Sequence, residues 1–401
     1  MIIKRPKYIE AITPFIGQPL VKILSGVRRC GKSTIFDMLK EELLSSGIDK
    51  KCIITKTYTD MDIAQNITAK QMYDELVCVT KDNAYSYLIL DEIQEISGWE
   101  KVVNSLLEKG NCDIYVTGSN SKLMSSEIST YLTGRYVQIP VYTLSFSEYL
   151  QFKSESKLTK RELLNEYIRF GGFPVVALNE YESNMAYQIV NGIYYTVVSR
   201  DIVNRHRIHK QELFDRVVRY VVENTGKTFS ANSISKFLKS ENRQLSNESI
   251  YNYLRWLEQA FIIYPCRRYD LQGKNILKTQ EKYYLADVSL KYALFGYNRN
   301  MLDAVMENIV YLELKRRGYD VYVGKLGTKE IDFVAIFRDE KIYVQVCVQL
   351  PENSDRETEN LKDIPDNYPK YVVTLNDLDV GNDEGIKIVH LQDFLLTDRW
   401  I

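Results

Sequence analysis

The chain has 401 residues, of which 45% are hydrophobic and 26% are charged, and its 52 basic residues nearly balance 53 acidic ones. This length is too great for one ordinary domain, so two or three domains are expected. The composition excludes a largely disordered chain. The net charge of −1 excludes a global basic excess, so any contact with nucleic acid would need a local basic patch.

Neither secretion nor membrane insertion is indicated by the sequence. The charged N-terminus lacks an apolar core and meets a helix breaker early, at Pro6, unlike a signal peptide. The longest apolar runs, such as residues 88–90 and 260–264, are far too short to span a bilayer. The six cysteines have no C-x-x-C spacing, which favours reduced thiols over disulfides or a zinc site. We therefore expect a cytoplasmic protein.

Short β-type runs alternate with helical stretches in the first third of the chain. The predicted strands are residues 21–24, 52–56, 87–91, 113–117 and 136–140, and the predicted helices are 32–45, 69–80, 98–108 and 122–132. Strands that alternate with helices predict a parallel sheet covered on both faces. Residues 1–145 are therefore expected to form one α/β domain.

A glycine-rich motif follows the first predicted strand and opens the first of these helices. Its sequence, GVRRCGKS, fits the P-loop pattern G-x-x-x-x-G-K-[ST], and this context argues against a chance match. Backbone N–H groups of such a loop bind phosphates, Lys32 would contact the β- and γ-phosphates of ATP, and Ser33 would bind Mg²⁺. The expected nucleotide-binding residues are Gly26, Arg29, Gly31, Lys32, Ser33 and Thr34.

The third predicted strand, YLILDE at residues 87–92, ends in two carboxylates. Asp91 lies where an acidic residue would hold Mg²⁺ through water, and Glu92 is placed to polarise the attacking water. A strand that merely ends in solvent is the alternative, but it rarely follows a P-loop at this distance. The pair therefore predicts ATP hydrolysis.

Two further residues are candidates for the same chemistry. Asn120 follows the next strand and could place an amide near the γ-phosphate, with Ser119 behind it; the alternative is a plain turn capped by Ser119 or Ser121. Arg135 precedes the last strand and could stabilise transition-state charge, in cis or on a neighbouring subunit. The alternative for Arg135 is a surface arginine near a helix C-terminus.

The pattern changes after residue 145. Residues 146–222 are predicted to be mostly helical, with a break at the sequence GGFP. Residues 223–290 predict a winged helix, with helices at 230–238 and 247–258 and strands at 260–268 and 275–285. Residues 291–401 predict a helix at 307–316, strands at 321–324, 330–337 and 341–349, and a further helix–strand pair after an acidic, linker-like stretch at 351–360.

Several of these segments resemble one family nearly end to end. The sequences SGVRRCGKST, LILDEIQ, TGSNSKLMSSEISTYLTGRY, RFGGFPVV and VQVCVQL are similar to those of prokaryotic AAA-superfamily P-loop ATPases that carry a C-terminal region of undefined function. The resemblance implies an AAA-type ATPase domain in which Lys32 and Asp91 match the Walker A and B positions. It also implies a sensor at Asn120 and an arginine finger at Arg135, and with the finger a homo-oligomer.

The C-terminal segment resembles the restriction-endonuclease-like PD-(D/E)xK fold. That chemistry needs two carboxylates to hold Mg²⁺ and a lysine near the attacking water. Asp332 is in place and Glu307 could help, but Gln345 and Cys347 stand where a carboxylate and the lysine belong. Migration of Lys329 or Lys341 into the site is an alternative. We interpret the segment as a degenerate nuclease-like domain without nuclease activity.

Basic residues cluster just before the predicted winged helix and in its first strand. They could bind phosphates, although a solvated basic face is the plainer interpretation. The helix 247–258 has no basic stripe, and winged helices also contact proteins. The residues concerned are Arg200, Arg205, His206, Arg207, His209, Lys210, Arg267 and Arg268.

The sequence thus favours an ATP-driven conformational switch that acts on nucleic acid or on a partner protein. One alternative is a Mg²⁺-dependent DNA nuclease gated by ATP, against which Gln345 and Cys347 argue. Another is a module that binds ATP without turnover, against which Glu92 and Asn120 argue.

Overall fold

The computed structural model describes residues 3–58, 67–119, 132, 134–273, 275–351 and 356–397. The chain forms two compact units: unit 1 comprises residues 1–141 and 259–261, and unit 2 comprises residues 142–258 and 262–401. Within the described ranges, none of the helices combines the length and the hydropathy that crossing a membrane would require.

Unit 1 contains a five-stranded parallel sheet in the order β2-β3-β4-β1-β5. The strands are β1 (Val21–Ser25), β2 (Ile53–Thr57), β3 (Ser86–Asp91), β4 (Cys112–Gly118) and β5 (Tyr136–Pro140). All five were predicted from the sequence, and each begins and ends within one residue of its predicted bounds. β1 and β4 are buried along their whole length, as expected for central parallel strands covered on both faces. The predicted α/β class is confirmed.

Four helices of unit 1 lie within the described residues: α1 (Pro6–Ile12), α2 (Lys32–Ser45), α3 (Ala69–Thr80) and α4 (Trp99–Lys109). α3 begins at a capping box formed by Thr68 and Gln71, and α4 ends at Gly110 in the left-handed conformation. The sequence analysis missed α1. Its predicted helix at 122–132 lies outside the described residues, apart from Leu132.

An ion pair is buried within the same sheet. The ammonium of Lys22 on β1 contacts the carboxylate of Asp113 on β4, and both side chains are fully buried. Asp113 also accepts hydrogen bonds from the Tyr115 hydroxyl and from the backbone N–H of Gly17, each at 2.7 Å. The charge of Asp113 is therefore compensated by three donors inside the unit.

The first part of unit 2 is helical. Its helices are α5 (Phe146–Phe152), α6 (Lys160–Phe170), α7 (Pro174–Ala177), α8 (Ser183–Thr196), α9 (Gln211–Glu223), α10 (Ala231–Ser240), α11 (Asn247–Gln259) and α12 (Ser289–Phe295). A π-helix, Val197–Asn204, continues directly from α8. π-Helical turns are uncommon and often lie at functional sites.

The predicted break between α6 and α7 is explained by two glycines. Gly171 has a φ of 71°, and a Cβ there would lie 1.8 Å from a carboxylate oxygen of Asp287. The N–H of Gly172 donates to the other oxygen of Asp287 at 2.8 Å. Ser289 donates to Asp287 from its backbone N–H and from its hydroxyl. The glycines are therefore needed so that this buried carboxylate can approach the backbone.

An eight-stranded mixed sheet fills the rest of unit 2, in the order β12-β13-β11-β10-β9-β8-β6-β7. Its strands are β6 (Ile263–Asp270), β7 (Asn275–Leu285), β8 (Asp320–Leu326), β9 (Lys329–Phe337), β10 (Glu340–Val346), β11 (Lys370–Thr374), β12 (Gly381–Asp383) and β13 (Ile386–His390). The hairpin β6–β7, predicted as a wing, continues this sheet because β6 pairs in parallel with β8.

Three helices accompany the later strands: α13 (Leu302–Arg316), α14 (Arg356–Lys362) and α15 (Leu391–Leu396). From α13 onward the order is helix, three antiparallel strands, helix, and a strand parallel to β10. Residues 351–360 were predicted to be linker-like, but α14 begins within them, and its residues Thr358 and Leu361 are buried. β12, β13 and α15 were not predicted from the sequence.

Candidate functional site

The P-loop of unit 1 connects β1 to α2 and bends sharply at two positions. Arg29 and Gly31 have φ values of 65° and 103°, which turns the backbone toward the start of α2. The side chain of Lys32 is buried, and its ammonium donates to the carbonyls of Gly26 at 2.9 Å and Val27 at 3.2 Å. The side chain of Lys32 is therefore enclosed by the backbone of the P-loop.

Ser33 and Asp91 meet at the carboxyl edge of the sheet. The Ser33 hydroxyl donates to one oxygen of the Asp91 carboxylate at 2.7 Å, and the Thr117 hydroxyl donates to the other. β3 and β4 are adjacent parallel strands, so the last residues of both lie at the same edge. The sequence analysis did not single out Thr117, although its place at the end of β4 was a usable signal.

Glu92 adopts a left-handed backbone conformation with a φ of 53°, and its N–H donates to the Thr117 hydroxyl at 2.9 Å. Its carboxylate accepts hydrogen bonds from Ser119, at 3.0 Å, and from Gln94. It also lies 3.9 Å from the ammonium of Lys32. A left-handed non-glycine residue carries strain, which is common at functional sites.

Opposing effects act on the pKa of Glu92. Burial alone would raise this pKa, because the charged form loses hydration. The charges of Lys32 and Arg28, together with the hydrogen bonds from Gln94 and Ser119, outweigh burial, so the pKa is lowered. The side chain is therefore an ionised acceptor at neutral pH. Arg28 and Gln94 were not singled out from the sequence.

The other predicted nucleotide-site residues differ in their placement. Arg29 is exposed in the loop, and Thr34 is exposed in the first turn of α2. Asn120 lies outside the described residues, but Ser119 before it is buried beside Glu92.

Arg135 lies at the opposite edge of the sheet from the P-loop. It immediately precedes β5, and the register pairs Val21 with Tyr136, so five residues of strand separate Arg135 from the carboxyl edge. At about 3.3 Å per residue this is about 16 Å, more than an arginine side chain spans. Its guanidinium binds α4 instead, through Asn104 at 2.7 Å and Glu108 at 3.3 Å. This geometry argues against a cis role.

A buried arginine, Arg5, which was not singled out from the sequence, contacts the backbone of the P-loop. The guanidinium of Arg5 donates to the carbonyl of Cys30 at 2.8 Å and lies 4.5 Å from the centre of the Tyr8 ring. Its backbone N–H contacts the sulfur of Met38 on α2. Arg5 therefore links the N-terminal helix to the loop. Nothing in the local sequence distinguishes it from a surface arginine.

In unit 2, Asp332 is one of three carboxylates that surround a buried lysine. The ammonium of Lys282 on β7 lies 3.0 Å from Glu330, 3.3 Å from Glu307 and 3.5 Å from Asp332. We call these four residues the carboxylate cluster. Among the described residues, no group of histidine, cysteine, aspartate and glutamate side chains has the arrangement of a metal site.

The pKa values within the carboxylate cluster are shifted. Burial, reinforced by the charge of Asp332, raises the pKa of Glu307 to about 8. Burial also raises the pKa of Asp332. Burial would lower the pKa of Lys282, but the three carboxylates outweigh it and raise that pKa.

The remaining residues predicted for a nuclease centre do not supply its missing parts. The Gln345 side chain accepts from the N–H of Asp332 at 3.2 Å and donates to Glu357 at 2.8 Å, so it acts as a structural bridge. Burial raises the pKa of the Cys347 thiol to about 12. The two lysines considered as substitutes pair elsewhere, Lys329 with Asp363 at 2.6 Å and Lys341 with Asp366 at 3.0 Å.

Most of the basic residues noted in the sequence lie in or directly after the π-helix, and two lie on β6. Exposed members are Arg200, Arg207, His209 and Lys210. His206 stacks on Trp256 of α11, with ring centres 4.3 Å apart. Arg267 is largely exposed and lies 3.6 Å from Glu281. The structure thus joins the basic segment to α11.

The parallel sheet, the P-loop and the carboxylates at its edge define a P-loop ATPase fold of the AAA type. Residues 18–150 match a family model described as "AAA domain", and residues 161–300 match one described as "Domain of unknown function (DUF8612)". A solved Walker-type ATPase of Pyrococcus abyssi superposes with a TM-score of 0.53 at 13% identity, over 73% of this chain and 96% of that one. At this identity, the likeness concerns the fold alone.

Two relatives match nearly the whole chain. An uncharacterized protein of Haemophilus influenzae is 37% identical over 98% of this chain and 99% of its own length. An uncharacterized protein of Methanocaldococcus jannaschii is 32% identical over 93% of this chain and 85% of its own length. The chain therefore belongs to the family of these uncharacterized AAA-domain proteins.

Proposed function

We propose that residues 1–145 bind ATP with Mg²⁺ and hydrolyse it. The main support is that one edge of the sheet brings Lys32, Ser33, Asp91 and Glu92 together, with the Ser33 and Asp91 oxygens 2.7 Å apart and Lys32 3.9 Å from Glu92. These are the cation, hydroxyl and two carboxylates that phosphoryl transfer to water requires.

The residues present fit ATP and Mg²⁺. Lys32 would exchange the carbonyls of Gly26 and Val27 for phosphate oxygens, and backbone N–H groups at the start of α2 would bind further phosphate oxygens. Ser33 and Asp91 present adjacent oxygen atoms, which are the ligands that Mg²⁺ prefers. When bound, the metal ion would neutralise charge on the β- and γ-phosphates.

Glu92 would orient the attacking water. Its depressed pKa keeps it ionised, and its hydrogen bonds to Ser119 and Gln94 fix the carboxylate. We propose that Asn120, next to Ser119, is the sensor of the γ-phosphate. These assignments favour an enzyme over a module that binds ATP without turnover.

Binding is tested by substituting Lys32. Lys32→Ala should lose most of its affinity for ATP·Mg²⁺, about tenfold or more, because a charge-assisted contact with phosphate contributes about 1.5–3 kcal/mol. Lys50→Ala, which removes an exposed lysine of the same unit, should bind as the wild type does. Calorimetry measures both. An unchanged affinity of Lys32→Ala would contradict the assignment.

We propose further that Arg135 acts in trans, as the finger of a homo-oligomer. Its position about 16 Å from the carboxyl edge of its own sheet supports this role. Specific ATPase activity should then rise with protein concentration. Mixing Arg135→Ala with Lys32→Ala should restore activity, because each chain supplies what the other lacks. Constant specific activity on dilution, with no restoration on mixing, would exclude the trans role.

We propose that ATP turnover drives a conformational switch acting on nucleic acid or on a partner protein through the rest of the chain. The proposed parts are a helical segment at 146–222, a winged helix at 223–290 and an inactive restriction-endonuclease-like domain at 291–401. The winged helix is supported by the helices α10 and α11, which precede the β6–β7 hairpin. The restriction-endonuclease-like domain is supported by the order of helices and strands from α13 onward.

Nucleic-acid binding is tested by salt dependence. If the basic residues bind phosphates, the affinity for duplex DNA should fall steeply with salt and should weaken in Arg205→Ala, Arg207→Ala or Arg267→Ala. Absent or salt-independent binding would favour a protein partner.

The alternative of an ATP-gated nuclease makes a separate prediction. We expect supercoiled, linear and branched DNA to stay intact with Mg²⁺ or Mn²⁺, with or without ATP. Cleavage that disappears in Asp332→Ala, purified in the same way, would promote the nuclease alternative.

A further inference from the structure

A lysine occupies the centre of the carboxylate cluster. The Lys282 side chain is 4% exposed, and its ammonium reaches oxygens of Glu330, Glu307 and Asp332 at 3.0, 3.3 and 3.5 Å. An ammonium group has three hydrogen-bond donors and no acceptor. Each carboxylate can therefore take one N–H, and the donors are matched within the cluster.

The three carboxylates come from one helix and one strand, since Glu307 lies on α13 while Glu330 and Asp332 both lie on β9, and two of the three are held by other groups. Glu307 on α13 accepts from the Tyr284 hydroxyl at 3.0 Å, and Asp332 on β9 accepts from the N–H of Val346 at 2.9 Å. Gly226 leaves room for Glu307, since a Cβ there would lie 3.1 Å from its carboxylate. Glu307 and Asp332 are therefore each held by a contact that does not involve the lysine.

Clustered carboxylate oxygens suit a hard divalent cation, and buried carboxylates stay charged only when a cation compensates them. Lys282 supplies that charge from β7, whereas the carboxylates are carried by α13 and β9. A lysine is a compact point charge on a flexible stem, so it can stand at a metal position.

We propose that Lys282 is a built-in cation that occupies the place of a divalent metal ion and closes the carboxylate cluster to Mg²⁺ and Mn²⁺. In the native chain the ammonium then takes the place of an ion, which agrees with the lack of a metal-site arrangement among the described residues. This proposal does not depend on ATP hydrolysis. It requires that removal of the ammonium create a site for a divalent cation.

Mn²⁺ binding to the full chain tests this. Every protein carries Asp91→Asn, which removes the proposed metal ligand of the P-loop, and no nucleotide is added. Lys282→Ala should bind one Mn²⁺, seen by electron paramagnetic resonance, at least about tenfold more tightly than the Lys282-containing protein. The gain should vanish when Asp332→Asn is added. Lys282→Arg, which keeps the charge, should gain nothing.

The folding of the variant gives a second readout. If Lys282→Ala unfolds in buffer alone, Mn²⁺ should restore its folding, because binding to the folded state stabilises it. Three results would overturn the proposal: a folded Lys282→Ala that gains no Mn²⁺ affinity, an unfolded one that Mn²⁺ does not rescue, or Mn²⁺ binding by the Lys282-containing protein that Asp332→Asn abolishes.

Discussion

Gly26 offers the sharpest steric test of the P-loop. A Cβ at this position would lie 2.0 Å from the carbonyl oxygen of Val141 and 3.2 Å from the sulfur of Cys30. The Val141 oxygen belongs to the backbone, and the N–H of the same residue donates to Ser25 at 2.7 Å, so it cannot rotate away. Gly26→Ala must therefore displace backbone at the end of β5 or in the P-loop.

The expected cost follows from this contact. Overpacking a well-packed site costs about 1–3 kcal/mol, and a clash with backbone belongs at the upper end. Replacing glycine by alanine returns about 0.4–1 kcal/mol by restricting the unfolded chain. The net loss of stability should be about 2 kcal/mol. ATP affinity should fall as well, because the carbonyl of Gly26 holds Lys32.

Urea unfolding followed by circular dichroism measures the stability change. The control is Gly192→Ala in α8, where a Cβ would meet no atom within 4 Å, so a gain of about 0.5–1 kcal/mol is expected. A Gly26→Ala protein that unfolds at the wild-type midpoint or above it would refute the reasoning.

Substitutions at three further positions have defined outcomes. Lys22→Met should lower the free energy of unfolding by about 3–5 kcal/mol, because it leaves Asp113 buried and unpaired; a loss below 1 kcal/mol in urea would contradict this. Arg5→Ala should weaken ATP binding measured by calorimetry, because the contact between Arg5 and the Cys30 carbonyl shapes the P-loop. Arg5→Lys should restore part of the lost affinity. If Arg5→Ala bound ATP as tightly as the wild type, this role of Arg5 would be excluded. Asp287→Ala should lower the thermal midpoint, because it removes the hydrogen bonds that Asp287 accepts from Gly172 and Ser289, which contribute about 1 kcal/mol each. An unchanged midpoint would argue against a stabilising role for Asp287.

The sheet of unit 1 could be predicted from sequence because each strand is a short apolar run that ends in a turn. The P-loop and Asp91 could be found for a related reason: the motif fixes spacing along the chain, and parallel strands bring their carboxyl ends to one edge. Local information was sufficient for these features.

Other features depend on contacts between distant residues. Lys282 is 25 positions from Glu307 and 50 from Asp332 in the sequence, and neither its strand nor its composition indicates that it enters the carboxylate cluster. Arg5 likewise meets Cys30 only through the packing of α1 on α2. The start of α14 was missed because its sequence is polar and acidic, and the burial of Thr358 and Leu361 identifies it as packed.

The most direct test of the central claim is ATP turnover in Glu92→Gln. The amide keeps the size of the side chain but loses the charge that orients water, so ATP affinity should persist while turnover falls by about 10²-fold or more. Glu95→Gln is the matched control, because Glu95 also lies beside Arg28, at 3.5 Å, and has no proposed role in chemistry. The two measurements are phosphate release at saturating ATP and nucleotide affinity, made on both variants and on the wild type. Lost turnover with bound ATP in Glu92→Gln alone is the predicted result, and wild-type turnover in Glu92→Gln would contradict it.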